Sequence, residues 1–187
     1  MKCSVFIATS ADGFIAKPDG SVDWLHTAGN DKVITGKNAD MGLNNYISSV
    51  DCMIMGRKCM DVISKMNLTP EQWFYGDMKI IVLSNTVKEA PENLKDKVEM
   101  YSGDLNELIS SLENEGLKHA YIDGGTTIQE FINLELINEI TITKAPILLG
   151  EGIPLFGKTF KDIKLKEAQA VAFPNDFIQL KYKVTYL

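Results

Sequence analysis

Apolar residues fall along the chain in runs of strand length, at Cys3–Thr9, Val50–Met55, Met78–Leu83, His119–Ile122 and Glu139–Leu149. Several are apolar throughout, the pattern of strands covered on both faces. Between them the period lengthens. Leu105, Leu108, Ile109 and Leu112 share one helical face, behind the cap candidates Ser102 and Asp104 and ahead of Gly116, which ends the pattern. Ile128, Phe131 and Ile132 predict a second inward helical face, with Thr126 or Thr127 as its N-cap. At the carboxyl end the period becomes two. From Ile178 to Tyr186 every second residue is apolar, which predicts a strand with one wet face, and Pro174-Asn175-Asp176 turns the chain back from a partner at Ala168–Phe173. Strands alternating with helices and closed by an antiparallel hairpin predict one α/β domain over residues 1–187, in three layers, with a mixed and mostly parallel sheet. The stretch from Gly29 to Asn45 stays undecided, because Gly29, Gly36 and Gly42 interrupt any helix drawn there.

Composition narrows the function classes. With 187 residues, 45% hydrophobic and 24% charged, the chain has the make-up of a globular domain burying roughly 70% of its unfolded surface. No apolar run is long enough to span a membrane. The start, MKCSVFIATSADGFIA, could mimic a signal peptide, but Asp12, Asp19 and the lack of a cleavage site favour a first buried strand. A net charge of -6 without a Lys/Arg cluster argues against nucleic acid as a partner. Cys3, Cys52 and Cys59 are odd in number and lack CxxC spacing, which predicts reduced thiols and a cytoplasmic setting. With His26 and His119 the only histidines, neither a metal centre nor a Ser-His-Asp relay is expected.

Chemistry concentrates at strand ends. Met53-Ile54-Met55 runs through Gly56 into a helical pattern with Arg57, Lys58 and Cys59 in its first turn. Free N–H groups and the positive end of a helix dipole favour an anion there, and cations at a helix start need a counter-charge. A phosphate would supply it, Arg57 offering a fork to a 2'-phosphate; a surface Arg-Lys pair beside acidic loops is the plain alternative. Tyr121-Ile122-Asp123 likewise ends in Gly124-Gly125 before Thr126, Thr127 and Ile128, a bare backbone on which a cofactor could lie, or a simple tight turn. A third strand end, Leu83-Ser84-Asn85-Thr86, offers small hydroxyls to an adenosine. Ligands gather at this edge of α/β sheets. Gly150-Glu151-Gly152-Ile153-Pro154-Leu155-Phe156-Gly157 misses the dinucleotide fingerprint in its third glycine and its helix, and predicts a loop walling the substrate pocket. Ser10-Ala11-Asp12-Gly13-Phe14-Ile15-Ala16 forms a glycine-bearing loop suited to closing over a site. Asp40 is a proton donor with a raised pKa if it faces the pocket, and a solvated helix cap if it does not.

Together SADGFIA, IMGRK, IIVLSN, YIDGGTTIQEF and APILLGEGIPLFG resemble the dihydrofolate reductase superfamily over essentially the whole chain, and most closely its branch of riboflavin-biosynthesis reductase domains. The resemblance implies the dihydrofolate reductase-like fold and NADPH as cofactor. Gly56, Arg57, Lys58 and Cys59 would then receive phosphates, with Leu83 and Ser84 beside the adenosine. Gly124 and Gly125, joined by a cis bond, would carry the diphosphate on to Thr126, Thr127 and Ile128. Ile15 and Ala16 would neighbour the nicotinamide. Thr9, Trp24, Leu43 and Gly150 would line a pocket for a small heterocycle, with Asp40 as the acid. The implied activity is hydride transfer to a substrate of the 5-amino-6-(5-phosphoribosylamino)uracil type; folate reduction and a non-catalytic NADPH- or flavin-binding module are the alternatives. Family members are commonly homodimers. Cys59 stands where a hydroxyl residue is usual, so only its backbone N–H carries over.

Overall fold

The computed structural model describes residues 1–30, 32–33 and 40–187; Gly36 lies outside them. In chain order the elements are β1 (Lys2–Ser10), β2 (Phe14–Ala16), α1 (Trp24–Thr27), α2 (Leu43–Ile47), β3 (Cys52–Gly56), α3 (Arg57–Met66), β4 (Lys79–Leu83), β5 (Glu99–Tyr101), α4 (Leu105–Asn114), β6 (His119–Asp123), α5 (Gly125–Asn133), β7 (Glu139–Ala145), β8 (Ile153–Pro154), β9 (Ile163–Ala172) and β10 (Ile178–Tyr186). The main sheet runs β5-β4-β3-β6-β1-β7-β10-β9. Its first six strands are parallel, and β10 lies antiparallel to both β7 and β9. This is the mixed, mostly parallel sheet with a terminal antiparallel hairpin that the periodicities predict.

Both faces are covered, so the central strands are buried nearly end to end. On one face Val5, Ile54 and Ile122 meet Leu108, Leu112, Ile128 and Phe131 from α4 and α5. On the other Met53, Met55 and Tyr121 meet Met60 and Ile63 of α3, with Tyr46 and Ile47 of α2 packed against them. Residues one position apart on a strand therefore belong to different cores, as a two-residue side-chain period requires.

Three local expectations are corrected and one pair of candidates is decided. Strand β7 stops at Ala145 rather than Leu149, where Pro146 can no longer donate to a ladder. Strand β9 begins at Ile163, not Ala168, and almost all of it is exposed; an edge strand wet on both faces leaves no burial alternation to read. Neither Thr126 nor Thr127 caps α5, because Gly124, at φ 91, makes the turn and the helix already begins at Gly125. At α4 the cap is Asp104, which accepts from the N–H groups of Asn106 and Glu107 at 2.8 and 3.1 Å.

Helix α2 is anchored to the sheet by a polar chain. Ser4 Oγ lies 2.7 Å from both Tyr46 Oη and His119 Nε2. His119 Nδ1 faces the Ser49 carbonyl at 2.9 Å, which can only accept, so Nδ1 carries the proton and Nε2 accepts from Ser4. Burial lowers the His119 pKa despite the neighbouring Glu139 and Asp51, with Lys2 acting in the same direction as burial. A folded-state pKa below the unfolded value of about 6.5 means that the unfolded chain binds the extra proton. Stability from this site is therefore present above that value and is lost as pH falls below it. The His119→Asn variant should show a flatter dependence of urea midpoint on pH between about 7 and 5 than wild type.

Candidate active site at the carboxyl ends of the central strands

Strands β3 and β6 are adjacent and parallel, so the helices that follow them start side by side. Both starts are built on glycine. The N-caps of α3 and α5 are Gly56 and Gly124, and neither supplies a side-chain cap. The first N–H groups of both helices thus lack the partner that Ser, Thr or Asp would give them. The two starts are packed tightly. A Cβ at Gly56 would sit 3.1 Å from Thr127 Oγ1, and one at Gly124 would sit 2.6 Å from Cys59 Sγ and 4.0 Å from Gly56 N. Thr127 is buried, facing Gly56. The result is a cradle of backbone donors with one hydroxyl, suited to an anion.

Gly124 and Gly125 are joined by a trans bond, since no cis peptide occurs among the described residues. The expected cis link is not needed here: Gly124 turns the chain through its positive φ, a conformation open to glycine at little cost. Above Gly125 sits Ile15, whose Cδ1 lies 2.7 Å from where a Cβ would be. Ile15 belongs to β2, which pairs with β8 and so joins the two loops that the sequence leaves separate. Asp12 fastens them further, accepting from Leu149 N at 3.2 Å and Gly150 N at 2.8 Å. A bond from Ser10 at 2.6 Å, together with those from Gly150 and Leu149, holds its pKa down to about 2. Removing these acceptors in Asp12→Ala should speed amide hydrogen exchange at Leu149 and Gly150 while leaving the strands of the main sheet protected.

The other expected site residues separate. Arg57, half exposed, donates to Asp61 one turn on. Lys58 is exposed, and Leu83 and Ser84 are partly buried at the end of β4. Ser84 Oγ accepts from the N–H groups of Thr86 and Val87, closing a turn. Thr126 is exposed, whereas Ala16 and Ile128 are buried. Thr9 shares its side of β1 with Val5 and Ile7, the α4–α5 side. Trp24 is buried against Ala145 and Phe177, away from the glycine cradle. The side chains of Thr9 and Trp24 have buried polar atoms without partners among the described residues. Leu43 opens α2, and Gly150 is exposed.

Asp40 adopts the cap alternative. Its carboxylate accepts from Gly42 N at 3.1 Å and Asn44 N at 2.8 Å, and these bonds lower its pKa. A proton donor at neutral pH needs the opposite shift.

Among the described residues one carboxyl has it. Asp123 ends β6 beside the cradle, and burial raises its pKa against bonds from Tyr121, Gly124 and Cys59. Tyr121 Oη donates to Asp123 Oδ1 at 3.2 Å. The Cys59 thiol, itself pushed up to about 12 mainly by burial, is the donor on the other side. Asp123, Tyr121 and Cys59 therefore meet on the α2–α3 face, with Tyr46 edge-on to Tyr121 at 5.1 Å. The sequence carries one signal for this set: a carboxylate closing an otherwise apolar strand directly before Gly-Gly.

Residues 62–179 match the family model of the RibD C-terminal domain. The chain belongs to this RibD C-terminal domain family. It is similar throughout to a protein of Shewanella sp. PV-4 named for riboflavin biosynthesis, with a TM-score of 0.88 and 37% identity over 100% of both chains. YwjB of Bacillus subtilis (strain 168), an uncharacterized protein, is 30% identical over 183 residues, covering 97% of each chain. A dihydrofolate reductase of Enterococcus faecalis, solved with NADP(H), shares the fold at 13% identity, with a TM-score of 0.63 over 99% of this chain and 97% of that one. RibD C-terminal domain membership and the dihydrofolate reductase-like fold are those the motifs suggest.

Proposed function

We propose that the chain is an NADPH-dependent reductase of the riboflavin-pathway type, acting on a small pyrimidine-like heterocycle. The observation that carries this is the convergence of two glycine-capped helix starts, at Gly56 and Gly124, on the Thr127 hydroxyl. A diphosphate fits that cradle, because it brings the acceptors that the unsatisfied N–H groups lack and needs the close approach that glycine permits. Gly125, Thr126, Thr127 and Ile128 would extend the cradle along α5, and the backbone N–H groups of Lys58 and Cys59 along α3. Arg57 would meet a 2'-phosphate, with Leu83 and Ser84 toward the adenosine. Ile15 and Ala16, lying over Gly125, would bound the nicotinamide end. NADPH, when bound, supplies a hydride.

The chain's own residues would exclude water and hold a proton. The paired loops of β2 and β8 cover the cradle, and Asp123, whose pKa burial raises, would be the carboxyl that delivers a proton. Asp40, held ionised by Gly42 and Asn44, would instead fix the start of α2. Mixing purified protein with NADPH and either a 5-amino-6-ribosylaminouracil or a dihydropterin, and following absorbance at the reduced nicotinamide band, tests the proposal. Oxidation with the pyrimidine and not the pterin is expected. Failure to bind NADPH at all would sink it.

A further inference from the structure

The segment that leaves α3 is built to carry one aromatic ring back to Asp123. Helix α3 ends with Asn67 in the left-handed region, at φ 47, and Gly76 has φ 57. Between these turns the loop braces itself. Gln72 Oε1 accepts from Thr69 N at 3.0 Å, and Trp73 Nε1 donates to Gly76 O at 3.1 Å. Lys97 lies 4.3 Å over the Trp73 ring. Trp73 and Phe74 flank Tyr75, at centroid distances of 5.1 and 4.1 Å. Tyr75 packs into the methionine-lined core that includes Met55, Met60 and Tyr121, while Phe74 stays 49% exposed at the rim.

Tyr75 differs from the other tyrosines of this face. Tyr46 and Tyr121 spend their hydroxyls on Ser4, on the Phe6 carbonyl and on Asp123. Tyr75 packs into the same cluster as Tyr121 and Cys59, the two side chains bonded to Asp123, and its hydroxyl has no hydrogen-bond partner among the described residues. Its phenol therefore lies on the cluster that surrounds Asp123 with its bonding capacity unspent, a state a half-buried hydroxyl leaves when a partner arrives.

We propose that Tyr75 is the specificity-determining residue of the site, its hydroxyl bonding and its ring flanking a planar lactam heterocycle of the uracil class set against Asp123. The proposal rests on the reductase function above and names its recognition element. Burial favours the neutral form of Asp123, and in that form its carboxyl offers one donor and one acceptor, which match the adjacent C=O and N–H of a lactam. Phe74 extends the aromatic wall over which such a ring can slide in.

The test titrates 5,6-diaminouracil calorimetrically into NADPH-saturated protein, with NADPH titrated separately. The Tyr75→Phe variant, which keeps the ring and so the fold, should bind 5,6-diaminouracil about 3- to 10-fold more weakly, the effect of one neutral hydrogen bond. Tyr75→Ala should weaken it more than about 10-fold as the flanking ring is lost as well. NADPH affinity should stay at the wild-type value in both. Wild-type affinity for 5,6-diaminouracil in Tyr75→Ala, or no binding of it to NADPH-loaded wild type, overturns the proposal. Wild-type protein that fails to bind NADPH overturns the cofactor assignment first, and this proposal with it.

Discussion

Gly124→Ala is expected to lose about 2–6 kcal/mol of folding stability and to weaken NADPH binding by about 100-fold or more. The stability loss has two sources. A side chain at φ +91 is strained by about 1–3 kcal/mol, and a Cβ 2.6 Å from Cys59 Sγ adds an overpacking penalty of about 1–3 kcal/mol. For a chain of 187 residues that corresponds to a melting temperature lower by about 4–24 °C. The binding loss has a separate origin: a methyl group would push apart the starts of α3 and α5 where a diphosphate must touch backbone. Gly116→Ala is the control. It has the same φ of +91 but nothing within 4 Å of its Cβ, so it should show the strain without the clash and bind NADPH normally. Urea denaturation and NADPH fluorescence titration of both variants make the comparison. Equal NADPH affinity in the two would show that the cradle does not hold the cofactor.

Arg57→Ala should weaken NADPH by about 10- to 100-fold while changing NADH little, the range for a hydrogen bond to a charged group. The discrimination is between cofactors that differ only in the 2'-phosphate. Arg57 lies in the first turn of α3 and is held by Asp61, so the guanidinium is already oriented with further N–H groups to offer. Because the residue is half exposed, the NADPH preference should shrink as salt is raised. Competitive titration of both cofactors at two ionic strengths reads it. Equal losses for NADPH and NADH would remove Arg57 as the discriminator.

Legibility followed the range of the forces involved. Strands β3, β4 and β6 are visible in the sequence because burial on both faces demands continuous apolar runs, and α4 because Asp104, Leu105, Leu108, Ile109 and Leu112 carry cap and face together. The first half of strand β9, before Ala168, hides because exposure on both sides imposes no pattern. The pairing of β2 with β8 hides because it joins residues about 140 positions apart through backbone bonds and Asp12, which no local window contains. Asp40 accepts from two N–H groups of its own neighbours, a local bond pattern that Gly42 at the start of α2 obscures in the sequence.

By itself the sequence determined the central strands, helices α3, α4 and α5, the two Gly-ended junctions and the superfamily motifs, since each depends on short-range sterics and on apolar residues leaving water. The tertiary structure alone decided that Gly56 meets Gly124 and Thr127, and that Asp123 shares its end of the sheet with Tyr121, Cys59 and Tyr75. Those meetings follow from the parallel order β3-β6-β1. Strand order is set by which faces can be covered together, a property of the whole packed chain and of no segment within it.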